Sequence, residues 1–134
     1  MATVTPVNYA NASEVVRNVY DDIKRTRKVD DVNNFWKSLA NAPEQLQQVW
    51  SEVKQVMQSG ALDALTKELI YIAVSVANSC TYCVHSHTAA ARAKGMSPEQ
   101  HAELLAVIAL ASRTNALANT LQVPVDPQFN VNSD

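Results

Sequence analysis

The sequence is poor in the residues that mark a β-rich or disulfide-stapled protein. Its 134 residues include only two glycines and two cysteines, and 6% of them are aromatic. Val, Ile and Thr do not alternate with polar residues between hairpin turns, so the pattern excludes an all-β fold and predicts an all-α one. Two cysteines do not form a standing scaffold in a reducing compartment, where such a pair cycles between thiol and disulfide or binds a metal.

Neither sign of charge is in excess. The chain has 11 Lys and Arg residues against 13 Asp and Glu residues, for a net charge of −2 at pH 7. Without a basic stripe there is no electrostatic case for binding nucleic acid or a membrane surface. The first residues lack the charged and apolar regions of a signal peptide, and no apolar stretch is expected to reach the length of a membrane span. We therefore expect a cytoplasmic protein without a membrane partner.

The length and the apolar content of 47% predict a single domain over residues 1–134, large enough to have its own core. Its functional motifs fall within residues 62–121. Residues 123–134 contain Pro124 and Pro127, and we expect them to be extended or disordered beyond the first few positions.

Three amphipathic helices are predicted in the first half of the chain. The first begins at a capping-box-like pair, Asn11 and Glu14. A short helical turn around Trp36 follows, and the third helix begins with Pro43 in its first turn. The predicted buried stripes contain Val15 or Val16, Val19, Tyr20 and Ile23 in the first helix, and Leu46, Val49, Trp50, Val53 and Met57 in the third.

Two unusually apolar helices are predicted in the second half. One opens at Asp63, and from Leu69 to Ala77 every residue except Ser75 is apolar or Tyr. The other begins at Ser97-Pro98, and the segment from Leu104 to Ala111 carries no charge. A chain of this size has too few other helices to cover both, so we expect burial against further copies in a homo-oligomer.

Both cysteines and two of the three histidines lie in the eight residues from Cys80 to His87, Cys-Thr-Tyr-Cys-Val-His-Ser-His. In a helix of about 3.6 residues per turn, Cys80, Cys83 and His87 share one face. Ser79 is the predicted N-cap and Gly95 the predicted end of this helix. The dithiol then lies in the first turn, where unpaired N–H groups and the macrodipole favour thiolate. Cysteines at this spacing have Cα atoms roughly 5 Å apart, which permits a disulfide.

Three interpretations of the cysteine pair remain open from the residues alone. A redox dithiol is favoured because Cys-x-x-Cys at a helix start is a recognised redox arrangement. A zinc site would use Cys80, Cys83 and His87, but it lacks a fourth ligand from a second Cys or His pair. Two buried core cysteines are the third interpretation, and the polar residues around them argue against a dry core.

Glu68 stands at the edge of the apolar run that precedes the cysteines. A carboxylate there is expected to be paired, to coordinate a ligand or to have a raised pKa, because burying an isolated charge is costly. Glu68 is thus either a proton acceptor aimed at the next helix, or a structural residue that pairs with a neighbouring lysine such as Lys67 or packs at the helix edge.

The order Glu68, eleven intervening residues, and then Cys80-x-x-Cys83-x-x-x-His87 resembles the signature of the AhpD-like alkylhydroperoxidase group of the carboxymuconolactone decarboxylase superfamily. Four functional residues spaced across two helices are a more specific signal than a lone Cys-x-x-Cys. The resemblance extends over about residues 35–121 and includes the helix start Asn41-Ala-Pro43, the turn Gly60-x-Leu62 and the turn Lys94-Gly95-Met96-Ser97.

The resemblance implies an all-α bundle of about six helices that assembles as a trimer or hexamer. It also implies a cofactor-free, thiol-dependent peroxidase that reduces hydroperoxides with electrons from a thiol or lipoyl-type reductant protein. Non-enzymatic redox-responsive or zinc-binding oligomers and a decarboxylase-type lyase are the alternatives.

The resemblance also implies roles for individual residues. Cys83 attacks the peroxide, Cys80 resolves the sulfenic acid to a disulfide, and Glu68 and His87 carry protons. Tyr82, a supporting residue, stands where the fuller-length enzyme has a histidine. The macrodipole alone favours Cys80 as the more acidic thiol, so the order of oxidation rests on the histidine contact and the resemblance.

Overall fold

The computed structural model of the chain describes residues 2–129, and those residues form six α-helices, two short 3-10 helices and no strand. The predicted all-α class and the number of about six helices are therefore confirmed. Residues 130–134 of the predicted tail lie outside the described residues. The α-helices are α1 Glu14–Arg27, α2 Asn34–Leu39, α3 Pro43–Met57, α4 Ala64–Ala77, α5 Thr81–Ala93 and α6 Pro98–Leu121, and the 3-10 helices are Tyr9–Asn11 and Pro127–Phe129.

The chain divides into two compact units, residues 1–58 and residues 59–134. The first unit holds α1 to α3, and the second holds α4 to α6. The single domain expected over residues 1–134 stays a prediction.

Helices α1 to α3 of the first unit bury one apolar cluster. Two of its aromatic side chains carry a polar group that has a partner: the Tyr20 hydroxyl donates to the Val7 carbonyl at 2.8 Å, and the Trp50 indole N–H donates to Asp22 at 2.7 Å. The stripe predicted for α1 is confirmed, with Val16 rather than Val15 as the buried valine. The buried members of the cluster on these helices are Val16, Val19, Tyr20, Ile23, Trp36, Leu46 and Trp50, and Val49 and Val53 pack against them.

The start of α1 differs from the prediction by two residues. Ser13 is the N-cap, and its Oγ accepts a hydrogen bond from the Val16 backbone N–H at 3.4 Å. Asn11, the predicted cap, instead ends the preceding 3-10 helix. Asn and Ser are both good N-cap residues. Because Asn11 already belongs to the 3-10 helix, Ser13 is the one that caps α1.

The second unit packs α4, α5 and α6 around a smaller cluster. Ile72, Ala91 and Met96 are buried there, and Leu104 and Ile108 of α6 are among the residues that pack against them. The predicted starts of two helices are confirmed. Asp63 caps α4 by accepting from the Thr66 N–H at 2.9 Å, and Ser97 and Gln100 form a capping box at the start of α6, with Pro98 as its first residue.

Much of the apolar surface of α4 and α6 is exposed in the single chain. Ile70 and Val74 of α4 are 48% and 52% exposed, and Leu110 of α6 is 63% exposed. At 24 residues, α6 is also long and apolar enough to cross a membrane by length and composition alone. The expectation that no stretch reaches that length was therefore wrong, because no helix break occurs before Leu121.

Candidate redox site

The turn between α4 and α5 places Cys80 at the start of α5. Ser79 has a left-handed backbone conformation with φ 56°, and the Cys80 N–H donates to the Ser75 carbonyl at 2.9 Å. Cys80 is itself the N-cap, and its Sγ accepts from the Cys83 N–H at 3.3 Å. The prediction of Ser79 as the cap was wrong by one residue, because Ser79 is used to turn the chain out of α4.

Cys80 and Cys83 are joined by a disulfide, with their Cα atoms 5.3 Å apart. This agrees with the distance expected from their spacing in a helix. Both residues are partly exposed, so a reductant has access to the bond. Within residues 2–129, no group of three or more His, Cys, Asp or Glu side chains is arranged to hold a metal ion.

Glu68 of α4 reaches across to α5 and uses both of its carboxylate oxygens. The residue is 4% exposed, with Oε2 at 2.6 Å from Nδ1 of His87 and Oε1 accepting from Nζ of Lys94 at 2.9 Å. An ionised carboxylate only accepts hydrogen bonds, so Nδ1 carries a proton in this contact. In the neutral ring, Nε2 is then left as an acceptor.

Opposing effects act on the ionisation of Glu68. Burial acts to raise its pKa, but the hydrogen bonds from His87 and Lys94, together with the positive charge of Lys94, outweigh burial and lower the pKa from its ordinary value. Glu68 is therefore a carboxylate at neutral pH. Glu68 thus faces the next helix, as the functional alternative expected, and it is also ion-paired, with Lys94 rather than Lys67 as its lysine partner. Its role as a proton acceptor stays a prediction.

Two residues of this cluster were missed in the sequence. Tyr71 stacks on the His87 ring, with the centroids 3.5 Å apart and the planes at 19°. Lys94, which pairs with Glu68, is the other. A signal was present for both, since Tyr71 follows Glu68 by three residues on α4 and Lys94, the C-cap of α5, follows His87 by seven, and these spacings keep residues on one helix face. Tyr82 is 44% exposed, and its supporting role stays a prediction.

The model of the carboxymuconolactone decarboxylase family matches residues 43–126, which include the whole Glu68 to Lys94 cluster. The chain belongs to the carboxymuconolactone decarboxylase family. The fold of this family member is also similar to the crystal structure of the alkylhydroperoxidase AhpD core from Rhodospirillum rubrum ATCC 11170. The two are 57% identical over 98% of this chain and 99% of that chain, with a TM-score of 0.95. The predicted AhpD-like resemblance is thereby confirmed.

Other relatives match shorter regions of this family member. The alkyl hydroperoxide reductase AhpD of Solibacter usitatus is 41% identical over 73 residues, which are 54% of this chain and 40% of that protein. An uncharacterized protein of Cupriavidus necator is 33% identical over 81 residues, which are 60% of this chain and 72% of that protein. The match thus spans less than half the length of the Solibacter reductase.

Proposed function

We propose that this AhpD-like protein is a thiol-dependent peroxidase that reduces hydroperoxides through a Cys80/Cys83 dithiol–disulfide cycle. One observation carries the proposal: a Cys-x-x-Cys disulfide begins the same helix whose His87 is bonded to an ionised Glu68. The names of its Rhodospirillum and Solibacter relatives, an alkylhydroperoxidase and an alkyl hydroperoxide reductase, support the same reaction class.

The cycle begins with the reduced protein. His87 takes the thiol proton of Cys83 at Nε2, directly or through water, and the Cys83 thiolate attacks one oxygen of the peroxide bond. The O–O bond breaks as the S–O bond forms, and the departing alkoxide receives the proton held by His87 and leaves as an alcohol. Cys83 is thereby oxidised by two electrons to a sulfenic acid.

The second half of the cycle restores the dithiol. The sulfur of Cys80 attacks the sulfur of the Cys83 sulfenic acid, water leaves, and the disulfide forms, which stops further oxidation. A thiol or lipoyl-type reductant protein then reduces the disulfide by thiol–disulfide exchange and is itself oxidised to a disulfide. No separate cofactor is needed in this scheme.

Cys83 is assigned as the attacking thiol because it lies closer along α5 to the base, His87, than Cys80 does. His87 lies four residues after Cys83, one helical turn away, so this thiol has a proton acceptor on its own face of the helix. Cys80 at the N-cap has the greater help from the helix start, but it is two turns from His87.

Serine variants of the two cysteines test the function and the assignment together. Cys83→Ser should abolish dithiol-dependent peroxide consumption, whereas Cys80→Ser should undergo one oxidation and then stop, because its sulfenic acid has no internal thiol to resolve it. Peroxide loss with dihydrolipoamide as donor measures turnover, and dimedone labelling with mass spectrometry detects the sulfenic acid.

His85→Gln is a matched control on the same helix and should turn over normally, because His85 is exposed on another face of α5. Full turnover by Cys83→Ser would overturn the assignment. A wild-type protein whose disulfide opens and closes without consuming any hydroperoxide would overturn the peroxidase and leave a redox-responsive protein.

We further propose that the active form is a homo-oligomer, a trimer or hexamer, in the cytoplasm. The exposed apolar side chains of α4 and α6 support a second copy of the chain as their occupant, because apolar patches of this kind usually mark protein interfaces. Leu105, Val107, Leu110 and Leu117 of α6 are each more than half exposed. A reducing compartment suits the cycle because it supplies thiol electrons.

A further inference from the structure

Lys94 is held where its ammonium group meets the buried carboxylate of Glu68. It is the C-cap residue of α5, and its backbone N–H lies 3.1 Å from the carbonyl oxygens of Ala90 and Ala91. From this anchored position its side chain, which is 37% exposed, extends to Oε1 of Glu68 at 2.9 Å. The backbone of Lys94 is thus fixed by the end of α5, and its ammonium group is held by Glu68.

The charge of Lys94 bears on His87 through the shared carboxylate. With Lys94 in place, the negative charge of Glu68 is balanced before His87 takes up a proton. If the ammonium were removed, that negative charge would act on the imidazole alone and favour the imidazolium. A protonated ring has no free nitrogen to accept a proton from a thiol.

We propose that Lys94 is a positioning residue of the redox site, which acts through Glu68 to keep His87 neutral, with Nδ1 protonated and Nε2 available as the proton acceptor. The inference rests on the proposed peroxidase function for its catalytic consequence. Its electrostatic part concerns only Glu68, His87 and Lys94, and it is testable without turnover.

Beside His87, the carboxylate of Glu68 is itself paired with the ammonium group of Lys94. Tyr71 covers one face of the ring, and α6 adds apolar Leu104 and Ile108 to the neighbouring cluster. Among the titratable groups of α4, α5 and α6, Glu68 hydrogen-bonds His87, Tyr71 stacks on its ring, and Lys94 pairs with Glu68. Cys83 and Cys80 lie one and two helical turns before His87, and His101 of α6 shares a helix face with Leu104.

The first test follows the protonation of His87 in the oxidised protein by NMR. The ring-proton signal of His87 is assigned by its loss in His87→Gln. In Lys94→Met the titration midpoint of this signal should move to higher pH by about one pH unit, and in Lys94→Arg, which keeps the charge, it should stay at the wild-type position.

The matched control for this test is Lys54→Met, which removes the lysine of an ion pair with Asp22 in the first unit. It should leave the His87 titration unchanged. A midpoint that does not move in Lys94→Met would overturn the inference whether or not the protein reduces peroxides.

The second test measures peroxide consumption as a function of pH. Lys94→Met should lose about tenfold in rate below neutral pH, as a shift of one pH unit requires, and should approach the wild-type rate in alkaline solution, where an imidazole carries no charge. Lys94→Arg should restore the wild-type profile.

An equal loss of rate at every pH would assign Lys94 a purely structural role and overturn the inference. If the wild-type protein consumes no peroxide, the proposed function fails, and the NMR titration alone then decides the electrostatic role of Lys94.

Discussion

Replacing Glu68 by glutamine removes a buried negative charge while keeping the shape of the side chain. Both wild-type oxygens accept hydrogen bonds, from His87 at 2.6 Å and from Lys94 at 2.9 Å. Glutamine offers one oxygen and one amide nitrogen, so one partner must face a donor. If the amide nitrogen faces His87, the ring proton moves to Nε2, which removes the acceptor that the proposed cycle uses.

If the amide nitrogen of Glu68→Gln instead faces Lys94, two donors oppose each other and the ammonium turns to solvent. His87 then keeps its tautomer but loses the carboxylate that stabilises its protonated form during proton transfer. Either orientation weakens acid–base catalysis, and we expect the rate of Cys83 oxidation to fall about 100-fold, at the lower end of what a positioned acid–base group contributes.

The expected effect of Glu68→Gln on folding is smaller. Lys94 is 37% exposed and regains water when its partner is lost, so we expect the free energy of unfolding to fall by only about 1 kcal/mol. A domain with ordinary stability of about 5–15 kcal/mol then stays almost entirely folded. Unfolding would therefore not account for a 100-fold loss of rate.

A single-turnover experiment measures this prediction. Reduced protein is mixed with excess hydroperoxide in a stopped-flow instrument, the remaining thiols are counted over time, and the free energy of unfolding is measured in urea. Glu52→Gln, an exposed change on α3, is the matched control and should keep the wild-type rate. A Glu68→Gln protein that reacts at the wild-type rate would show that Glu68 takes no part in proton transfer and has a structural role.

Two further predictions concern stability and assembly. Hydrogen bonds from Lys54 and Trp50 outweigh burial and lower the pKa of Asp22 from its ordinary value of 3.8 to about 2. The ionised Asp22 therefore stabilises the fold fully above pH 3.8, and this stabilisation is lost as the pH falls through about 2. Asp22→Asn should make the unfolding free energy in urea less dependent on pH across this window, and an unchanged dependence would contradict it. Leu110→Glu on α6 should give smaller oligomers than wild type in light scattering, whereas the control Val15→Glu on α1 should not. A wild-type protein that is monomeric, or that sediments with lipid vesicles, would argue against the homo-oligomer.

Local chemistry was sufficient to predict most of the secondary structure. Asp63, Ser97 and Pro43 mark helix starts because capping and the fixed φ of proline depend only on adjacent residues. The spacing of Cys80, Cys83 and His87 placed the three on one helix face for the same reason. Where two cap residues competed, as Asn11 and Ser13 did, the geometry of the preceding turn decided, and the prediction was two residues early.

The contacts between helices could be seen only in the folded chain. The order of the residues was enough to show that Glu68 precedes the cysteines at a family-like spacing and that α4 and α6 are apolar. Only the packing of α4 against α5 showed that the lysine partner of Glu68 is Lys94, 26 residues further along the chain, and that Tyr71 stacks on His87. Helical periodicity gives the face of each residue along its own helix, whereas the distance between two helices depends on the side chains of both that pack between them.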